Sequence, residues 1–214
     1  RICVAGGLAA SLAAPLQAAV LDEIVVTAQK REQDIQDVGI SISAFTGEQM
    51  ETLGIQSSSE IAAFVPGVHT SGALAGQNKQ FTIRGVTQAD FNDIVEAPNA
   101  VYLDEGYIAI AQAQTFALFD IERVEILKGP QGTLFGRNAT GGLVQYLSRK
   151  PTFDAVEGYA DVTYGQFDAN SDPNSLRFEG AVGGPLSDRF AGRVALLYND
   201  QDPWLTNLYD PNGP

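Results

Sequence analysis

Two cations in a glycine-rich stretch, residues 124–144, are the first side chains in the sequence whose types and spacing suggest chemistry. They are Lys128 and Arg137, and a glycine-rich loop that carries a lysine can hold phosphate groups. The glycines of the stretch are Gly129, Gly132, Gly136, Gly141 and Gly142. A Walker-type loop requires a lysine and a hydroxyl residue directly after its second glycine, but Gly142 and Leu143 follow Gly141. The glycines therefore predict positive φ in successive turns rather than nucleotide binding.

The ionisable residues exclude several classes of protein. The chain of 214 residues contains one His and one Cys, too few for a zinc site or a disulfide framework. No nucleophile, base and acid occur together in the manner of a catalytic triad. We therefore predict no enzyme, no catalytic residue, no metal and no cofactor. The net charge of −13 excludes nucleic acid as a partner, because no basic surface can dominate.

The N-terminal residues read as an export signal followed by a short β-prone run. Residues 1–19 are apolar and alanine-rich with one positive charge, which is typical of the remnant of a secretory signal peptide cleaved after Ala18 or Ala19. A buried alanine-rich helix is the alternative. Residues 20–37 contain the strand-forming run 24–27 between charged residues. This run is either an ordinary first strand or a strand with which a partner pairs.

Residues 38–151 mix strand and helix patterns and predict one compact α+β domain. Alternation over residues 38–45 predicts a strand. A capping box formed by Thr46 and Gln49 begins a short helix that ends at Gly54, and a second box at residues 57–60 predicts another short helix. Further strands are predicted at 79–86, 121–129 and 141–151, a hairpin at 99–110 with its turn at 104–106, and a helical turn at 115–119.

Residues 152–214 carry a different pattern. Three runs, residues 157–168, 175–186 and 189–200, alternate apolar with polar or charged side chains. This alternation is typical of transmembrane β-barrel strands, although a soluble sandwich shows it too. Because the smallest outer-membrane barrels have about 8 strands, we predict that the three runs are the truncated beginning of a larger barrel.

Five segments, in this order, resemble the N-terminal part of TonB-dependent outer-membrane receptors. They are "DEIVVTAQKREQ", "FTIRGV", "VYLDEGYI", "IERVEILKGPQGTLFGRNATGGLV" and "LSRKP". The resemblance extends from residue 21 to about residue 200. It implies an α+β plug domain (38–151) inside a transmembrane barrel of about 22 antiparallel strands. It also implies an outer-membrane location with the plug facing the periplasm. Glycines would let the plug loops turn sharply and approach the barrel wall closely.

The resemblance also implies roles for individual residues. The TonB box, which the inner-membrane energy transducer TonB grasps, would be Asp22, Glu23, Ile24, Val25, Val26, Thr27 and Ala28. We expect this segment to be exposed, because an exposed β-prone strand can add to the edge of a partner's sheet. Arg84, Lys128 and Arg137 would pair with carboxylates of the barrel wall, with Arg84 the best candidate. Gln88 and Phe91 would lie in loops that contact the ligand.

The function implied by the resemblance is energy-coupled uptake of a scarce nutrient, such as a ferric siderophore, across the outer membrane. The expected partners are TonB, outer-membrane lipid and the nutrient. A soluble periplasmic plug-like binding or interaction module without transport activity is the alternative.

Overall fold

The computed structural model of this chain describes residues 24–73, 78–88, 95–166 and 174–203. Its elements are β1 (Val25–Val26), β2 (Gln33–Asp34), β3 (Ser41–Thr46), α1 (Gly47–Thr52), β4 (Val68–Ala73), β5 (Asn78–Ile83), β6 (Asn99–Leu103), β7 (Gly106–Tyr107), β8 (Ile121–Lys128), α2 (Gly132–Phe135), β9 (Gly142–Ser148), β10 (Glu157–Gln166), β11 (Asn174–Ser187) and β12 (Phe190–Gln201). Short 3₁₀ helices occupy Ile35–Asp37, Glu60–Phe64 and Ala111–Gln114. The predicted signal segment, Asp22, Glu23 and Phe91 lie outside the described residues.

A five-stranded sheet organises the domain, in the order β3-β8-β9-β6-β7. The β6–β9 pairing is parallel and the other pairings are antiparallel. Residues 124–127 of β8 and 142–147 of β9 are all buried, because both faces of the sheet are covered there. One face contributes Val124, Ile126 and Tyr146 to the larger core cluster. The other contributes Leu127 and Leu143 to a smaller one.

The local signals for helix starts and turns act as predicted. The capping box is present, with Gln49 N donating to Thr46 Oγ1 over 3.2 Å and Thr46 N donating to Gln49 Oε1 over 3.1 Å. At the second box, the Glu60 carboxylate accepts from Ser57 N, but the helix that follows is 3₁₀ rather than α. The hairpin of β6 and β7 turns at residues 104 and 105, which both have positive φ.

The helical turn predicted at residues 115–119 is wrong. The 3₁₀ turn lies immediately before this segment, at Ala111–Gln114, and Thr115, the residue that follows it, is extended. Ser58 N donates to Phe116 O over 3.0 Å, and Leu118 N donates to Gln56 O over 2.8 Å. Backbone pairing with the distant segment 56–58, together with burial of Leu118, outweighs the local helical preference.

Strands β10, β11 and β12 form a separate antiparallel sheet, as the alternation predicted. Its register places Val162, Phe178 and Tyr198 side by side. All three are exposed, as are the other large apolar side chains of this face: Tyr164, Leu176, Val182, Val194 and Leu196. A soluble sandwich buries its apolar face under a second sheet, and the described residues place none there. The polar face of the sheet packs on the domain instead.

Within the described ranges, no helix is long and apolar enough to cross a membrane.

Candidate functional site

The segment of residues 24–28 is docked on the domain. Strands β1 and β2 pair as a two-residue antiparallel hairpin, and Ile35 N donates to Ile24 O over 3.0 Å at its open end. Val26 and Ala28 are fully buried in the smaller core cluster, whereas Val25 points outward with 44% of its surface exposed. The expectation of an exposed segment is therefore wrong for Val26 and Ala28, because alternate side chains of this extended run reach an apolar site on the sheet.

A buried carboxylate on β8 anchors this segment. Glu125 is fully buried, and its Oε1 accepts from Thr27 N over 2.8 Å and from Thr27 Oγ1 over 3.2 Å. Arg123 Nε donates to the same oxygen over 2.9 Å. Arg123 Nη2 also donates to Thr27 Oγ1, over 3.4 Å. Hydrogen bonds that involve a charged group are stronger than neutral ones, so these contacts add to the apolar packing of Val26 and Ala28.

The predicted plug cations contact residues of their own domain. Lys128 Nζ lies 3.1 Å from Ser43 Oγ. Arg137 forms an exposed ion pair with Glu96 at 2.8 Å. Arg84 is exposed, with a φ of 52°. Their pairing with wall carboxylates stays a prediction.

The contact between the domain and the β10–β12 sheet pairs a carboxylate of the domain with an arginine of the sheet, whereas the prediction concerned cations of the domain and carboxylates of the wall. The Asp120 carboxylate, immediately before β8, accepts from Arg193 Nε over 2.7 Å and from Arg193 Nη2 over 2.5 Å. Beside it, Arg177 Nη2 donates to Leu118 O over 2.9 Å and to Glu179 over 2.7 Å. These residues were not predicted from the sequence. The available signal was an arginine on the polar face of each of two strands whose other face is apolar.

A cavity of about 540 Å³ lies between the domain and this sheet. Its walls include Met50, Arg149, Tyr159, Arg177 and Glu179. Tyr159 donates a hydrogen bond to Glu179 over 3.2 Å, and Arg177 donates to the same carboxylate over 2.7 Å. No group of His, Cys, Asp or Glu side chains among the described residues is arranged to hold a metal ion.

The glycines serve two purposes. Positive φ is confirmed at Gly129, Gly136 and Gly142 but is absent at Gly132, which begins α2, and at Gly141. Gly141 is instead required by close packing, since a Cβ there would overlap Asn99 and Val86. Asn99 is fixed because its Nδ2 donates to Phe81 O and Val86 O, each over 2.7 Å. The close approach at this glycine is thus to the domain's own residues.

Burial raises the pKa of Tyr146 and of Tyr102, which both lie in the five-stranded sheet. Tyr146 is fully buried, its hydroxyl donates to Ser58 O over 3.0 Å, and burial raises its pKa strongly. Burial is also the main cause that raises the pKa of Tyr102, and the charge of Tyr107 is the second cause.

Of the two predicted ligand contacts, Gln88 lies among the described residues and is half-buried.

The family model described as TonB-dependent Receptor Plug Domain matches residues 34–143. The chain belongs to this family. The predicted α+β plug, its outer-membrane location and the absence of an enzymatic role are thereby confirmed. The matched residues run from the end of β2 to the start of β9, so they include the five-stranded sheet except for most of its β9 strand.

Two curated relatives agree with this assignment. The vitamin B12 transporter BtuB of Photobacterium profundum is 29% identical over 181 residues, which cover 85% of this chain and 28% of the relative. The pesticin receptor of Yersinia pestis is 27% identical over 206 residues, covering 94% of this chain and 29% of the receptor. The chain therefore spans less than a third of the length of either relative.

Solved structures have the same fold. The ferric yersiniabactin uptake receptor FyuA from Yersinia pestis matches with a TM-score of 0.62 and 25% identity, over 74% of this chain and 24% of the receptor. The pyoverdine outer membrane receptor FpvA from Pseudomonas aeruginosa PAO1, bound to pyoverdine, matches with a TM-score of 0.65 and 20% identity, over 83% of this chain and 24% of the receptor.

Proposed function

We propose that this chain forms the plug and first wall strands of a receptor that takes up a scarce nutrient, such as a ferric siderophore, in an energy-coupled manner. The observation that carries the proposal is the orientation of the β10–β12 sheet. Its apolar face is exposed, and its polar face carries Arg193 to the plug carboxylate Asp120. This arrangement suits a wall with lipid outside and a plug inside. It favours a receptor over the alternative of a soluble periplasmic module.

The energy would arrive through residues 22–28, the proposed TonB box. The segment already adopts β structure at Val25–Val26, so it can exchange its pairing with β2 for pairing with the edge of a TonB sheet. Main-chain hydrogen bonds would supply the affinity. A ferric yersiniabactin uptake receptor occurs among the structural neighbours at 25% identity, which supports a ferric siderophore as the nutrient.

The remaining predicted site residues keep their proposed roles. Arg84 stands on an exposed turn after β5, where its guanidinium is available to a wall carboxylate. Lys128 and Arg137 are proposed as further wall contacts once the barrel surrounds the plug. Gln88 and Phe91 are proposed as ligand contacts on the outward loops.

The TonB step is tested in the full-length receptor with Val25→Pro and the control Val25→Ala. Proline removes a backbone N–H that strand addition needs, whereas alanine retains it. In an iron-starved host, we expect Val25→Pro to abolish ferric siderophore uptake while surface binding of the siderophore stays normal. Val25→Ala should retain uptake. Normal uptake by the proline variant would contradict the assignment of the box.

The nutrient is tested by complementation of growth on different ligand classes. A strain without the receptor is supplied with ferric siderophores or with cobalamin, and growth is compared with that of the complemented strain. Growth restored by a ferric siderophore supports the proposal. Restoration by cobalamin alone would overturn the iron assignment while leaving the receptor class intact.

A further inference from the structure

We propose that Glu125 is the latch that holds the box segment, residues 24–28, on the plug and thereby limits its access to TonB. The proposal rests on the function proposed above and assigns the control of that same segment to a residue outside it. Glu125 lies near the centre of β8, about a hundred positions along the chain from Thr27. It therefore acts on the segment only through the folded plug.

The contacts of Glu125 make it a positioning residue for the segment. Two of the three donors to its Oε1 belong to Thr27, and the third is Arg123 Nε. Arg123 also donates to Thr27 Oγ1, so each of the three groups, the carboxylate, the guanidinium and the hydroxyl, is hydrogen-bonded to the other two. Removing Thr27 would leave the carboxylate with Arg123 alone. Glu125 thus stabilises the docked segment beyond the apolar packing of Val26 and Ala28.

The same geometry keeps the latch reversible. Glu125 Oε2 is buried and receives no hydrogen bond from the residues that the structure describes. A buried carboxylate oxygen without a donor costs free energy, and water can reach it once the segment leaves. Release therefore gains hydration at one oxygen while it loses two hydrogen bonds at the other. This compensation lowers the free energy of undocking compared with a fully satisfied carboxylate.

The test uses the full-length receptor with Glu125→Ala and Glu125→Gln, in the absence of any substrate. Tyr146→Phe is the matched control, because it removes one buried hydrogen bond from the opposite face of the same sheet. A nitroxide attached at Val25→Cys reports segment mobility, since this side chain points outward. The periplasmic domain of TonB is then titrated against each variant.

Loss of charged hydrogen bonds should raise the undocked-to-docked ratio of Glu125→Ala by about tenfold to a hundredfold. The mobile fraction of the nitroxide signal should rise. The apparent Kd for TonB should fall by the same factor, as long as the docked state remains the more populated one. Glu125→Gln retains an acceptor and should shift less. Tyr146→Phe should match the wild type. Thr27→Val provides a second route if Glu125→Ala does not fold, because it removes the hydroxyl without changing the plug core.

Wild-type mobility and wild-type TonB affinity in the Glu125→Ala variant, or in the Thr27→Val variant where Glu125→Ala does not fold, would overturn the latch. The two readouts separate this proposal from the function on which it rests. If TonB binds but neither readout responds to the variants, the latch fails and the TonB-dependent function stands. If the nitroxide responds but TonB binds no form of the receptor, Glu125 still holds the segment and the assigned function fails.

Discussion

The Asp120–Arg193 pair should be the strongest single tie between the plug and strands β10–β12 among the described residues. Its two hydrogen bonds, of 2.7 and 2.5 Å, join side chains that are only 7% and 10% exposed. Removing one partner leaves the other charge buried without compensation, which costs about 3–5 kcal/mol. Removing both charges costs less, because no buried charge remains. We therefore expect Asp120→Asn and Arg193→Met each to destabilise the plug more than the double variant does.

The assay is hydrogen exchange of the β8 amides in the full-length receptor, followed by mass spectrometry. Local opening free energies set the rate of exchange. A loss of about 3 kcal/mol accelerates exchange more than about a hundredfold. Arg137→Met is the control, since the Arg137 side chain is 82% exposed and its pair with Glu96 is a surface contact. A surface pair contributes about 0–1 kcal/mol, so exchange should accelerate less than about fivefold.

Two results would refute this reasoning. Exchange in both single variants within about threefold of the wild type would show that the pair contributes no more than a surface ion pair. A double variant whose loss equals the sum of the two single losses would show that the charges act independently. Either result would remove Asp120 as the anchor of β8 on the wall.

Three further predictions concern other parts of the chain. Gly141→Ala should destabilise the plug by about 1–3 kcal/mol because the new Cβ overlaps Asn99, whereas Gly132→Ala, in open space on α2, should be neutral or stabilise it by up to about 1 kcal/mol; amide exchange measures both. Burial raises the pKa of Tyr146 above 10.0, so its contribution to stability should be complete below pH 10 and fall above it by up to about 1.4 kcal/mol per pH unit. When the free energy of unfolding is measured with urea at several alkaline pH values, it should decrease less steeply with pH in Tyr146→Phe than in the wild type. Leu196→Arg, on the apolar outer face, should cost about 2–4 kcal/mol near the bilayer midplane, as measured by refolding into lipid vesicles.

Local patterns in the sequence were sufficient to predict most of the elements. The capping box at Thr46 and the turn at residues 104–106 are chemistry between near neighbours, and both form as predicted. The alternation over β10–β12 predicted the strands and the division into two faces. Each of these features depends on residues within a few positions of one another, which is why the sequence alone reveals them.

The candidate site depends on contacts between distant residues, which the patterns do not contain. Thr27 and Glu125 are 98 positions apart, and Asp120 and Arg193 are 73 positions apart. The wrong helical turn at residues 115–119 has the same origin, since that segment pairs with residues 56–58. Glu125 between the apolar residues Val124 and Ile126 was visible in the sequence, but its partner was not.

The strand pairings also set the order in which the plug would yield to a pulling force. A force applied at residue 24 separates the two ends of the β1–β2 hairpin, so its two residue pairs open one after the other, starting at the loaded end. Strand β3 is loaded differently. It would be pulled at Ser41, whereas β8 is tethered to the wall at Asp120, beside the far end of β3. Its six pairs with β8 then bear the load together, in shear. The box segment can therefore peel away at a force that leaves the central sheet intact.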